Sequence, residues 1–121
     1  MLVFDVSGFY VNKTKTSYEV VTPGITCGIV DSAYTLDYDG LSIAITRCLY
    51  LVKQWASKVS KEELCRAMVR ADNEYQFALE EKFGSNAGDM RYSRHPSGSN
   101  LWALSKAHHT LSKVYFDRFG N

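Results

Sequence analysis

Leu41-Ser-Ile-Ala44-Ile45-Thr-Arg-Cys48-Leu49-Tyr-Leu-Val52-Lys-Gln-Trp55 decides how the rest of the chain is read. Its residues Leu41, Ala44, Ile45, Cys48, Leu49, Val52 and Trp55 recur at steps of three and four, which places them on one face of an α-helix. Such a stripe needs apolar surface to cover it. The flanking sequence says what that surface is.

Upstream, the pattern changes from helical to extended. Leu2 to Val11 is rich in Val, Phe and Tyr and partly alternates, which predicts a strand bent or bulged at Gly8. Asn12 to Thr16 reads as a polar turn and Tyr18 to Val21 as a second strand. Pro23-Gly24 is a turn signal that joins this strand to a third, Ile25 to Val30, as a hairpin. Ala33 to Leu36 reads as a short edge strand. Asp37-Tyr38-Asp39-Gly40 closes the strand half, with Asp39 expected to cap the first helix.

Downstream, two more helices follow. Ser60-Lys-Glu-Glu63 has the form of a capping box, and Leu64, Ala67, Met68, Ala71, Tyr75, Ala78, Leu79 and Phe83 share one face behind it. Gly84 stands where a left-handed residue ends such a helix. Arg66, Arg70, Asn73, Glu74, Glu80 and Glu81 form an ordinary solvated face. Asn100 is the expected cap of the last helix, whose inward residues are Leu101, Leu104, Ala107 or His108, Leu111, Val114 or Tyr115, and Phe119.

The expected architecture is a single α+β domain over 1–121, with a strand region at 1–38 and a helical region at 39–121. A small antiparallel sheet of three to four strands packs against three helices, the last two forming an antiparallel hairpin. A sheet this small exposes its edges, and pairing into a homodimer or higher oligomer is one way to cover them.

Composition bounds the function. At 121 residues, with 45% hydrophobic and 22% charged, the chain carries enough apolar material for a core without staples. A net charge of +1 gives no footprint for wholesale nucleic-acid or membrane-surface binding. Cys27, Cys48 and Cys65 are odd in number and widely spaced, which fits free thiols and a cytoplasmic setting better than disulfides or zinc. The first residues lack the pattern of a signal peptide, and the longest apolar run, Leu41 to Val52, is too short to span a bilayer.

One segment lacks any periodicity. Gly84 to Asn100 is longer than the usual connection between packed helices, and such stretches are often functional. Arg91 and Arg94 offer forked donors suited to phosphate. Asn86 and His95 add polar groups, Tyr92 a flat ring face, and the start of the last helix a positive dipole end. Asn86, Arg91, Tyr92, Arg94 and His95 are therefore the expected ligand-binding residues. The structural alternative pairs Asp89 with Arg91 or Arg94, pins the loop through Met90 and Tyr92, or hides a short extra helix.

No phosphate-loop, nucleophile-elbow or zinc-protease motif occurs. His108 and His109 are adjacent, so on a helix they point about 100° apart and do not share a metal ion. No catalytic residue, cofactor or metal is assigned. The expectation is a non-catalytic binding module for a phosphate-bearing small molecule (a nucleotide or second messenger) or a nucleic-acid segment. Short chains of this kind occur in phages and mobile elements, where they sequester or block host factors. An inhibitor or adaptor using the aromatic sheet face or the helix hairpin on a host protein is the alternative. A small nucleotide-acting enzyme with His95 or His109 as base stands third.

Overall fold

A computed structural model describes residues 1–23 and 28–120. Four strands, β1 (Leu2–Val6), β2 (Phe9–Lys13), β3 (Tyr18–Thr22) and β4 (Gly28–Tyr34), form one sheet in the order β1-β2-β3-β4 with every neighbour antiparallel. The expected turn residue Gly24, the thiol Cys27 and the start of the expected third strand at Ile25 lie outside the described residues.

The sequence reading of Leu2 to Val11 as one bent strand is corrected. The chain reverses at Ser7-Gly8, where φ is 52° and 89°. Two consecutive positive φ values make the tight turn whose twist matches that of paired strands. The Asp5 carboxylate accepts the Gly8 N–H at 3.2 Å and secures the reversal. Val6 then faces Phe9, and Phe4 faces Val11. A second reversal is knotted around Thr14, whose Oγ1 accepts the N–H groups of Thr16 and Ser17. In the last strand, the expected edge piece at Ala33 belongs to the single run of β4.

Alternation along these strands puts Phe4, Val6, Phe9, Val11, Tyr18 and Val20 on the buried face. Helix α1 (Tyr38–Ala56) lies against that face through the expected stripe: Ala44, Ile45, Cys48, Leu49 and Val52 are buried. Trp55 meets the edge of Phe9 at 6.0 Å between ring centroids. The helix starts earlier than expected, capped by Asp37 and not Asp39. Asp37 accepts the Gly40 N–H at 2.7 Å and the Thr35 hydroxyl at 2.9 Å, and these bonds hold its carboxyl below the usual range. Gly40 permits this entry because any Cβ there would stand 1.8 Å from the Thr35 carbonyl oxygen.

Helix α2 (Lys61–Phe83) is capped as expected by Ser60, whose Oγ accepts the Glu63 N–H at 3.2 Å. Between it and the last helix come a 3-10 turn at Gly84–Asn86 and the short helix α3 (Ala87–Met90). Helix α4 (Asn100–Phe119) is capped by Ser99, not Asn100, with the Trp102 N–H donating to Ser99 Oγ at 3.2 Å.

Two contacts orient the helices. Ser42 and Ser97 hydroxyls meet at 2.7 Å near the starts of α1 and α4, and Arg118 donates to the Ala56 carbonyl at 2.6 Å near their ends. The two helices therefore run parallel. Helix α2 runs antiparallel to α4 and forms the expected hairpin with it, its first residue Lys61 reaching the Phe119 ring. No helix among the described residues is long and apolar enough to cross a membrane.

Candidate functional site

The segment from Gly84 to Asn100 divides into a part that is packed and a part that is open. Its first half is anchored by a small core of Tyr75, Leu79, Ala87 and Leu101, with Phe83, Met90 and Leu104 against it. Ala87 supplies the buried side chain that turns these residues into helix α3. The short extra helix is thus real, and Met90 does pin the segment. Tyr92 does not: it is 90% exposed.

The buried hub comes next. Tyr75 donates its hydroxyl proton to the Arg91 carbonyl at 2.6 Å and stands 2.9 Å from His95 Nε2. A phenol has one proton, and it is committed to the carbonyl. His95 Nε2 must therefore carry a hydrogen and donate it to the Tyr75 oxygen. Burial, followed by the charge of Lys82, pushes the His95 pKa below its ordinary value, so the ring is neutral at pH 7.

Arg91 belongs to this hub. Its guanidinium donates to the Asp72 carboxylate and, at 2.7 Å, to Gln76 Oε1, and it lies 5.2 Å from the Tyr75 ring centroid. Asp72 also faces His108 Nε2 at 3.6 Å. Burial and the charges of Arg91 and His109 lower the His108 pKa despite that carboxylate, because Arg91 already occupies it. His109 is exposed, so the adjacent histidines divide between inside and outside as their helical spacing requires. Among the described residues no three metal-ligating side chains gather.

Beyond the hub, the chain from Tyr92 to Ser97 and the first two turns of α4 enclose a groove of about 750 Å³. Tyr92, Arg94 and His95 line it together with Ser97, Trp102 and Lys106. Among the described residues, neither Arg94 nor Lys106 is paired with a carboxylate. The groove's volume falls within the roughly 300–1,000 Å³ of small-ligand sites.

The five expected ligand residues are thus only partly brought together. Tyr92, Arg94 and His95 share the groove, with His95 as part of its buried wall. Arg91 is turned away onto Asp72, and Asn86 is exposed at the start of α3 and does not line the groove. The guanidinium groups of Arg91 and Arg94 do not converge, and the partner of Arg91 is Asp72 where the sequence suggested Asp89. The start of α4 lies in a separate hollow with Glu81 and Lys82. The Glu81 carboxylate there opposes an anion.

Trp102 and Lys106 were missed by sequence reasoning, although a signal existed. They sit one turn apart on α4, so both reach the same side of the helix. The chain also contains no acidic residue between Asp39 and Glu62, or between Asp89 and Asp117. Beyond Asp39 in its first turn helix α1 carries no acid, and α4 carries none before Asp117, so Lys53, Lys106 and Lys113 stand on acid-free stretches of helix, whereas α2 mixes both signs. The near-zero net charge hid this segregation.

Comparison with protein-family models, curated proteins and solved structures finds no match to this chain.

Proposed function

We propose that this protein is a non-catalytic binding module that takes a phosphate-bearing ligand in the groove between residues 92–97 and α4. The observation that carries this reading is the presence of Arg94 and Lys106 on one concave surface, unopposed by carboxylates, beside the rings of Tyr92 and Trp102. Arginine offers phosphate a planar fork and lysine a point charge, while an aromatic face accepts a base. The hydroxyls of Ser97 and Ser105 add donors to the same wall. In this reading the hub serves to present the groove: His95, Tyr75 and Arg91 hold the backbone on either side of Arg94.

A cytoplasmic setting accords with the free thiols of Cys48 and Cys65. Cys48 is buried, and burial raises its pKa to about 12, which keeps it an inert hydrophobe. The alternative of a protein-contact module draws support from Val69 and Phe77, which stand 51% and 63% exposed two turns apart on α2.

Thermal shift against inorganic pyrophosphate, nucleoside mono-, di- and triphosphates and cyclic nucleotides tests the proposal. A ligand at 100 times its Kd stabilises the fold by about 2.7 kcal/mol. The gain is expected with the parent protein and lost in an Arg94→Ala, Lys106→Ala variant that melts normally without ligand. A flat response across the set removes the reading.

A further inference from the structure

The groove does not end at Lys106. A second hollow, about 310 Å³, continues along the seam between α1 and α4 and shares Trp102 and Lys106 with the first as a common wall. Its other lining residues include Thr46, Tyr50 and Lys53 from α1 and Thr110 from α4. The shared residues make one track from Tyr92 and Arg94 to Tyr50 and Lys53. From Trp102 to Thr110 alone the helical rise covers about 12 Å. Such a track is longer than one nucleotide occupies.

The chemistry along it alternates. Exposed or half-exposed rings come from Tyr92, Trp102 and Tyr50, and cations from Arg94, Lys106 and Lys53. Lys53, like Arg94 and Lys106, has no carboxylate partner among the described residues. The Arg47 guanidinium lies 5.6 Å from the centre of the Tyr50 ring. No acidic residue occurs from 40 to 61 or from 90 to 116, so the stretches of α1 and α4 that line the seam add no carboxylate of their own. Unpaired bases stack on aromatic side chains while a positive groove follows the phosphates. In a duplex the base faces are already stacked on one another, so the rings would find no use there.

We infer that the ligand of this track is a single-stranded nucleic acid, lying along the α1–α4 seam with its phosphates on Arg94, Lys106 and Lys53 and its bases against Tyr92, Trp102 and Tyr50. The inference rests on the phosphate-binding reading of the first groove and extends it.

The test measures fluorescence anisotropy of labelled oligo-dT and oligo-U of about twelve nucleotides, against a duplex, a mononucleotide and heparin. Either oligonucleotide is expected to bind at least tenfold more tightly than the mononucleotide and the duplex. Lys53→Ala should weaken the oligonucleotide and reduce the slope of log affinity on log salt by roughly 0.7. Tyr50→Leu, which keeps an apolar cover, should weaken it by roughly five- to hundred-fold. Neither change should alter mononucleotide binding at the first groove. Arg66→Ala on α2 serves as the control and should leave the oligonucleotide unaffected.

Mononucleotide binding with no oligonucleotide advantage, or with no effect of Lys53→Ala and Tyr50→Leu, overturns the inference and leaves the first groove standing. Absence of binding by every probe removes both. Heparin matching the oligonucleotide, with Tyr50→Leu and Tyr92→Ala silent, reduces the seam to a general polyanion surface and also overturns it. Equal affinity for duplex overturns the single-strand assignment.

Discussion

Arg91 and Arg94 are three residues apart in the same segment, and they have opposite fates. Arg91 points inward to a half-buried carboxylate, an amide oxygen and a phenol ring. Arg94 points into an open groove with another cation for company and no carboxylate partner. The buried hub and the groove are two regions made from one stretch of chain. The difference between them teaches that the residue type suited to phosphate is also the residue type suited to latching a loop. Only the neighbours supplied by α2 and α4 tell which is which.

The contrast is broken most forcefully on the groove side. Removing Arg94 and Lys106 together is expected to weaken a phosphate-bearing ligand roughly 150-fold or more, since two charge-assisted contacts are lost. The melting temperature should hardly move, because both side chains are at the surface. Titration calorimetry beside a thermal melt reads both quantities. A variant that unfolds, or that binds as before, would erase the distinction between the regions.

On the hub side the same measurements should trade places. Tyr75→Phe leaves the Arg91 carbonyl and the His95 N–H without their partner and is expected to destabilise by about 1–3 kcal/mol. Chemical denaturation would register this as a lower midpoint with an unchanged slope. Arg91→Ala should be milder, about 1 kcal/mol, because Asp72 is partly exposed and regains water when its partner leaves. Its ligand affinity should fall far less than in the Arg94 variant.

Acidification sharpens the comparison by the smallest effect. His95 and His108 both have pKa values below the ordinary 6.5 in the folded protein. As pH falls through that value, the unfolded chain takes up protons before the folded one does. Their contribution to stability is therefore present above about pH 6.5 and lost below it. Melting temperature should decline from about pH 7.5 to about pH 5.5, and the decline should be shallower with His95→Gln and His108→Gln combined. Glu74, whose carboxyl is pushed up first by burial, works in the opposite sense, so the parent-to-variant difference is the quantity to read. An identical slope in both proteins would show that the hub does not titrate.

Much of the fold is legible in the sequence. The Leu41 stripe, the Ser60 cap and the Gly84 stop are local signals, and each acts where the reading placed it. Ser7-Gly8 is equally local but ambiguous: both a bulge and a tight turn use a residue of positive φ, and the alternation of Val and Phe continues on either side. The helix caps moved by one or two residues, to Asp37 and Ser99, because neighbouring polar residues compete and tertiary contacts choose between them. Thr35 selects Asp37 by packing on Gly40, and Gly98 against Tyr38 positions Ser99.

The candidate site was legible only in part. Tyr92 and Arg94 stood out by residue type, but Trp102 and Lys106 looked like ordinary helix residues. Their one-turn spacing and the acid-free stretch around them are visible in the sequence, but the residues that complete the groove with them come from the other side of a turn and from α1.

By itself, the sequence determined the class of the fold, because hydrophobic period and capping are properties of consecutive residues. It also held the two long acid-free stretches, 40–61 and 90–116, which survive any folding of the chain. Which arginine is latched and which is offered to a ligand was decided by tertiary structure alone. A guanidinium takes its role from the groups within a few ångströms of it, and for Arg91 the decisive one, Asp72, belongs to a helix nineteen positions earlier in the chain.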